Sequence, residues 1–194
     1  MTISLGQKLG LRPGDALLVI DVQRDFLPGG SLPVAEGREV VAPLNAYIAA
    51  FSARRLPILA TRDWHPPDHC SFRESGGPWP PHCVRQTPGA EWPSELRISP
   101  ETHVISKATS ADTEAYSGFS GTALARLLRD LKVRRLFVGG LATDYCVHDT
   151  VLDARAQGFE VSVLADAVRA VNLRPEDAGR AIEDMIAHGA SWHA

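Results

Sequence analysis

The 194-residue chain has no apolar run long enough to span a bilayer, and its first residues, MTISLGQKLGLRPGD, show no basic region leading into an apolar stretch and a small-residue cleavage site. Neither a membrane span nor a secretory leader is expected, and the reading is a cytoplasmic protein. Cysteine is scarce: Cys70, Cys83 and Cys146 are an odd number, and their spacing fits no disulfide scaffold. A reducing compartment follows. Positive charge is not in excess, since 20 Lys and Arg stand against 23 Asp and Glu and give a formal charge of −3. Without a basic field, nucleic acid is not an expected partner. Internal repeats, low-complexity tracts and linker-like stretches are also missing, so residues 1–194 read as a single domain.

Hydrophobic residues at 44% and charged residues at 22% are ordinary for a globular protein, which predicts a compact core. Short runs rich in Val, Ile and Leu occur at 16–20, 57–60, 103–105, 136–138 and 161–164. Between them, segments 38–52, 121–131, 143–157 and 175–188 carry apolar residues at helical spacing, and Gly158 is placed to end the third in a left-handed cap. This alternation predicts a three-layer α/β/α fold with a doubly wound, mostly parallel sheet. One irregular segment, at about 62–100, is crowded with proline, glycine and histidine and shows neither period. Such segments inside compact domains commonly carry function.

In doubly wound sheets, ligands bind beyond the carboxyl ends of the strands. Asp21, Asp63, Lys107 and Cys146 each follow one of the first four apolar runs and so fall on that edge. Each alone would be an ordinary loop residue; together their chemistry is complementary. Cys146 is the candidate nucleophile, in or near the first turn of a helix that Thr143 or Asp144 can cap, where the helix dipole favours a thiolate. Asp21 is suited to take the thiol proton and return it to a leaving amine, and Lys107 to keep Asp21 ionised. The small residues 139–142 allow backbone N–H groups of Ala142 and Cys146 to form an oxyanion hole. In the irregular segment, Asp63, His65 and His82 offer one carboxylate and two imidazoles, a set suited to one divalent metal ion: zinc, manganese or iron. Loop histidines making ordinary hydrogen bonds would give the same spacing.

These residues lie in stretches that resemble a known family: DVQRDF at 21–26, TRDWH at 61–65, WPPHCV at 79–84 and GLATDYCV at 140–147, with FLPGGSLPV, TPGAEW and YSGF between them. The sequence is similar to the nicotinamidase/pyrazinamidase family, a branch of the isochorismatase-like cysteine hydrolases. The resemblance runs from about residue 16 to the end of the chain. It implies hydrolysis of nicotinamide, and by chemical similarity pyrazinamide, to the acid and ammonia through a thioester on Cys146, with Asp21 and Lys107 as its companions. It also implies a metal, zinc first among the candidates, on Asp63, His65 and His82, which orients the pyridine ring. Phe26 and Trp79 are expected to sandwich that ring, with Leu141 and Ala142 beside it and a cis peptide joining those last two. His69 is left out of the metal set because its loop is short. A cysteine hydrolase of the same fold acting on a carbamoyl or maleamate-like amide would keep the triad, but would have no reason to keep the metal cluster. A non-catalytic binding module would not need the triad. Monomer and homo-oligomer both remain open.

Overall fold

The computed structural model describes residues 4–193; the outermost residues of the N-terminal stretch and of the 1–194 domain lie outside it. Six strands, Asp15–Ile20 (β1), Ile58–Asp63 (β2), His103–Lys107 (β3), Arg135–Leu141 (β4), Glu160–Arg169 (β5) and Ser191–His193 (β6), form one sheet in the order β3-β2-β1-β4-β5-β6. Every neighbouring pair is parallel. Five of these strands match the apolar runs. The sixth, SWH, is too short to show a period and was not expected; it pairs with β5 through Ser162 and Ser191.

Helices Leu5–Lys8 (α1), Val41–Ser52 (α2), Leu124–Asp130 (α3), His148–Ala156 (α4) and Asp177–Ala187 (α5) cover the sheet. β1 is buried along its whole length, and alternation divides its side chains between two cores. Leu17 and Val19 pack with Leu44, Ile48 and Phe51 of α2. Leu18 and Ile20 pack with Leu124 and Leu128 of α3, Val151 of α4 and Met185 of α5. Each such aliphatic side chain contributes about 1.5–3 kcal/mol on burial, so the middle strands are the rigid part of the molecule. Gly158 ends α4 with φ +88°, as its position after the helix predicts.

Strand order reverses between β1 and β4: the chain steps from β1 to β2 to β3 on one side, and from β4 to β5 to β6 on the other. A crevice therefore opens at the carboxyl ends of β1 and β4. Gly140 allows the two ends to close together. Its φ is +132°, and a Cβ there would meet the carbonyl oxygen of Ile20 at 2.0 Å. The crossover from β2 to β3 carries no α-helix. Residues 64–102 run instead through two 3₁₀ turns, Arg73–Ser75 and Pro88–Ala90, and two isolated bridges, His65↔Val84 and Phe72↔Trp79.

The segment expected as one helix over 143–157 begins as a π turn, Thr143–Val147, in which the Val147 N–H reaches the Ala142 carbonyl at 3.1 Å. Neither Thr143 nor Asp144 caps it. The Asp144 carboxylate is taken up elsewhere, accepting the N–H groups of Val171 at 2.9 Å and Asn172 at 2.8 Å in the loop after β5.

Candidate active site

Asp21 directly follows β1 with φ +45°, a left-handed turn that swings its carboxylate into the crevice side of the sheet. The Thr61 hydroxyl donates to its Oδ1 at 2.6 Å. Its Oδ2 lies 3.1 Å from Lys107 Nζ, yet no donor is aligned on that oxygen. Lys107 is the last residue of β3, and its ammonium is fully buried. It donates to Asp63 Oδ1, to the Ala115 carbonyl at 3.0 Å and to Cys146 Sγ at 3.4 Å. Oxygens of Asp21 and Asp63 and the sulfur of Cys146 all lie within 4.8 Å of one another. Lys107 therefore bridges two carboxylates where the sequence reading gave it one.

Burial pushes Asp21 up to about 6, against the pull of the Lys107 ammonium. Burial works the same way on Asp63, but Lys107, His65 and His82 outweigh it and hold that carboxyl below its usual range. Lys107 would lose its proton more easily through burial, but Asp21 and Asp63 keep it charged. The Cys146 thiol is raised well above its ordinary value by burial, and Lys107 does not offset this once Asp21 and Asp63 add their charges. The resting sulfur is thus a thiol. Burial and the two carboxylates dominate around this irregular turn. No donor is aligned on Asp21 Oδ2, so that oxygen is free to accept a proton.

Donor atoms of Asp63, His65 and His82 also cluster within 4.8 Å, all buried. The Nδ1 of His65 lies 3.0 Å from the His82 carbonyl, and the Nδ1 of His82 lies 2.8 Å from the Pro80 carbonyl. A carbonyl can only accept, so each Nδ1 carries the proton and each Nε2 lone pair is left to bind. Burial lowers His65 to about 4, which keeps it neutral. Two imidazoles and one ionised carboxylate fit a divalent ion of the zinc, manganese or iron type. His65, His69 and Glu114 also approach one another within 4.8 Å, but both nitrogens of His69 are engaged, with Ser71 Oγ at 2.7 Å and the Thr113 carbonyl at 3.1 Å.

A narrow cavity opens over Cys146, Asp63 and His82. Phe26, Trp79 and Ala142 line it as expected. Leu141 is not among its lining residues: at the end of β4 its side chain is buried in the core near Gly37, and its peptide to Ala142 is cis. Tyr116 and Tyr145 complete an aromatic wall. The Trp79 indole donates to the Tyr116 hydroxyl at 2.9 Å, and the Tyr145 ring meets Trp79 edge-on at 5.4 Å. Val34 and Val171 close other sides. Tyr145 adjoins Cys146 in sequence and Tyr116 lies in the YSGF motif, but neither position carries a local signal of its place in this wall. No Lys or Arg lines this cavity. A wider depression lies between Arg24, Arg38 and Trp92, but it contains no nucleophile and is not where the chemistry converges.

Residues 15–192 match the Isochorismatase domain. The chain is 37% identical over 202 residues to the nicotinamidase of Escherichia coli (strain K12), covering 93% of this chain and 95% of that protein. Among solved structures it is similar to the pyrazinamidase of Pyrococcus horikoshii in complex with zinc, at TM-score 0.90 and 51% identity over 93% of this chain and 99% of that one. It is also similar to PnC1 from L. infantum in complex with nicotinate, at TM-score 0.86 and 37% identity over 93% of this chain and 92% of that one.

Proposed function

The chain belongs to the isochorismatase family, and from that premise we propose that it is a nicotinamidase, hydrolysing nicotinamide and pyrazinamide to the carboxylic acid and ammonia. The observation that carries this reading is a cavity walled by aromatic rings and free of Lys and Arg, with Cys146 and the Asp63–His82 cluster on its lining. A flat, neutral heteroaromatic amide suits such a cavity. A cysteine hydrolase acting on a carbamoyl or maleamate-like amide would have no reason to keep the Asp63, His65 and His82 cluster. The zinc-bound and nicotinate-bound relatives support the same choice.

In this mechanism Asp21, Lys107 and Cys146 are the catalytic residues. Cys146 Sγ attacks the amide carbon while the thiol proton passes to Asp21 Oδ2. Lys107, at 3.4 Å from the sulfur, compensates the negative charge that moves from carboxylate to thiolate and then into the oxyanion. The N–H groups of Ala142 and Cys146 receive that oxyanion. As the C–N bond breaks, Asp21 returns the proton to nitrogen and ammonia leaves, with a thioester remaining on Cys146. Water, deprotonated by Asp21, then attacks the thioester carbon and releases the acid and the thiol. Phe26, Trp79 and Ala142 hold the ring, and the Leu141–Ala142 peptide frames the carbonyl.

Asp63, His65 and His82 would hold one divalent metal ion, with zinc first among the candidates. When bound, the ion supplies a Lewis-acidic partner for a ring nitrogen and so orients the ring. The chain acts as one cytoplasmic domain on a small molecule, with no nucleic-acid or membrane partner and with assembly into homo-oligomers left open. No helix among the described residues is long and apolar enough to cross a membrane. Ammonia release from nicotinamide by the zinc-supplied protein tests the activity; no release above a metal-only control would end the proposal.

A further inference from the structure

We infer that Gln23 is a positioning residue that sets the Asp63 carboxylate between Lys107 and the metal, an inference that rests on the metal set proposed above. β1 and β2 pair through Val19↔Ala60, and the last contact between them is the Asp21 N–H to Thr61 at 3.3 Å. The left-handed turn at Asp21 then carries the chain away. Asp63, at the end of β2, is left without a backbone partner on that side, although β3 still holds it on the other through Lys107.

The side chain of Gln23 fills the missing rung. Its Oε1 accepts the Asp63 N–H at 2.8 Å, and its Nε2 donates to the Asp63 carbonyl at 2.8 Å. One primary amide thus satisfies both main-chain groups of a residue, as a neighbouring strand would. The remaining Nε2 hydrogen goes to the Ala90 carbonyl at 2.9 Å, which ties in the 3₁₀ turn of the crossover. Gln23 is completely buried, and an amide flip would set like groups against each other at all three contacts. Only a primary amide offers one acceptor and two donors in this planar arrangement, and that of asparagine is one methylene shorter.

Asp63 is the one residue shared by the Lys107 cluster and the histidine cluster. One of its oxygens is held by Lys107, so the direction of the other depends on how firmly the backbone is fixed. Partners that orient ligands in this way commonly change metal affinity about 10–100-fold when removed.

The test is zinc titration against a competing chelator on the full chain, with KM and kcat for nicotinamide measured in parallel, for Gln23→Met and Gln23→Asn. The first keeps the volume and removes all three hydrogen bonds; the second keeps the amide but shortens its reach. Both are expected to weaken zinc at least about tenfold and to raise KM more than they lower kcat. Folded variants that bind zinc as tightly as the wild type would overturn the proposal, and so would failure of both to fold, since the role would then belong to the fold. The zinc measurement needs no substrate. Lack of nicotinamide turnover would therefore leave this inference standing, whereas a wild-type chain that binds no zinc would remove it.

Discussion

Asp21 and Lys107 stand on backbone already fixed by the parallel ladder, Lys107 as the last residue of β3 and Asp21 just past β1. His82 and Trp79 stand on the β2–β3 crossover, which has no ladder beyond isolated bridges. There, scattered backbone bonds are supplemented by single side chains: Asp25 accepts the Cys83 N–H at 2.8 Å, His65 reaches the His82 carbonyl, and Gln23 holds Ala90. In the proposed mechanism the two regions divide the work. Bond making sits on the stiff strand ends, where small displacements cost most in rate. Ring recognition sits on a segment free to carry histidines and aromatics without a periodic constraint.

This division is open to test. Cys146→Ala removes the nucleophile from the strand-end half and is expected to lower kcat at least about 10³-fold, while nicotinate binding, measured by calorimetry, stays close to wild type. Substantial retained turnover would mean that water attacks directly and that the two halves are not separate. His82→Ala belongs to the crossover half. Its expected effect is a KM rise of about 10–100-fold with a smaller change in kcat; an equal loss in both would place His82 in the bond-making step.

The smallest effect is on pH. Asp21 must be ionised to take the thiol proton, and its carboxyl is raised to about 6. Protonation below that value removes the base, so kcat/KM should fall about tenfold per pH unit as pH drops through and below about 6. His82→Ala should leave this acidic limb where it is. A limb that moves with His82 would assign it to the histidines.

Much of the strand-end half could be read from the sequence because an apolar run that stops at Asp, Lys or Gly marks both a strand and its carboxyl end. ALLVID and HVISK did this for Asp21 and Lys107. Cys146 was placed correctly beyond β4, but its turn was not. Helical spacing cannot distinguish a π turn from an α turn over five residues, and Asp144 looked like a cap because the loop that claims it lies at 171–172, far along the chain. β6 was missed because three residues carry no period. The crossover supplied residue types without geometry. His65 and His82 were candidates by chemistry, while the bonds that turn their nitrogens and the tyrosines that complete the wall are tertiary contacts with no local signal. The burial of the Leu141 side chain in the core likewise has no local signal: adjacency to the turn after β4 does not say which face a strand residue takes.

The most direct measurement is acid quenching during turnover of nicotinamide, followed by mass spectrometry of the peptide that carries Cys146. The mechanism requires a nicotinoyl group on that sulfur, present during turnover and absent from Cys146→Ala. An unmodified Cys146 peptide throughout steady turnover, under conditions that preserve a model thioester, would contradict it.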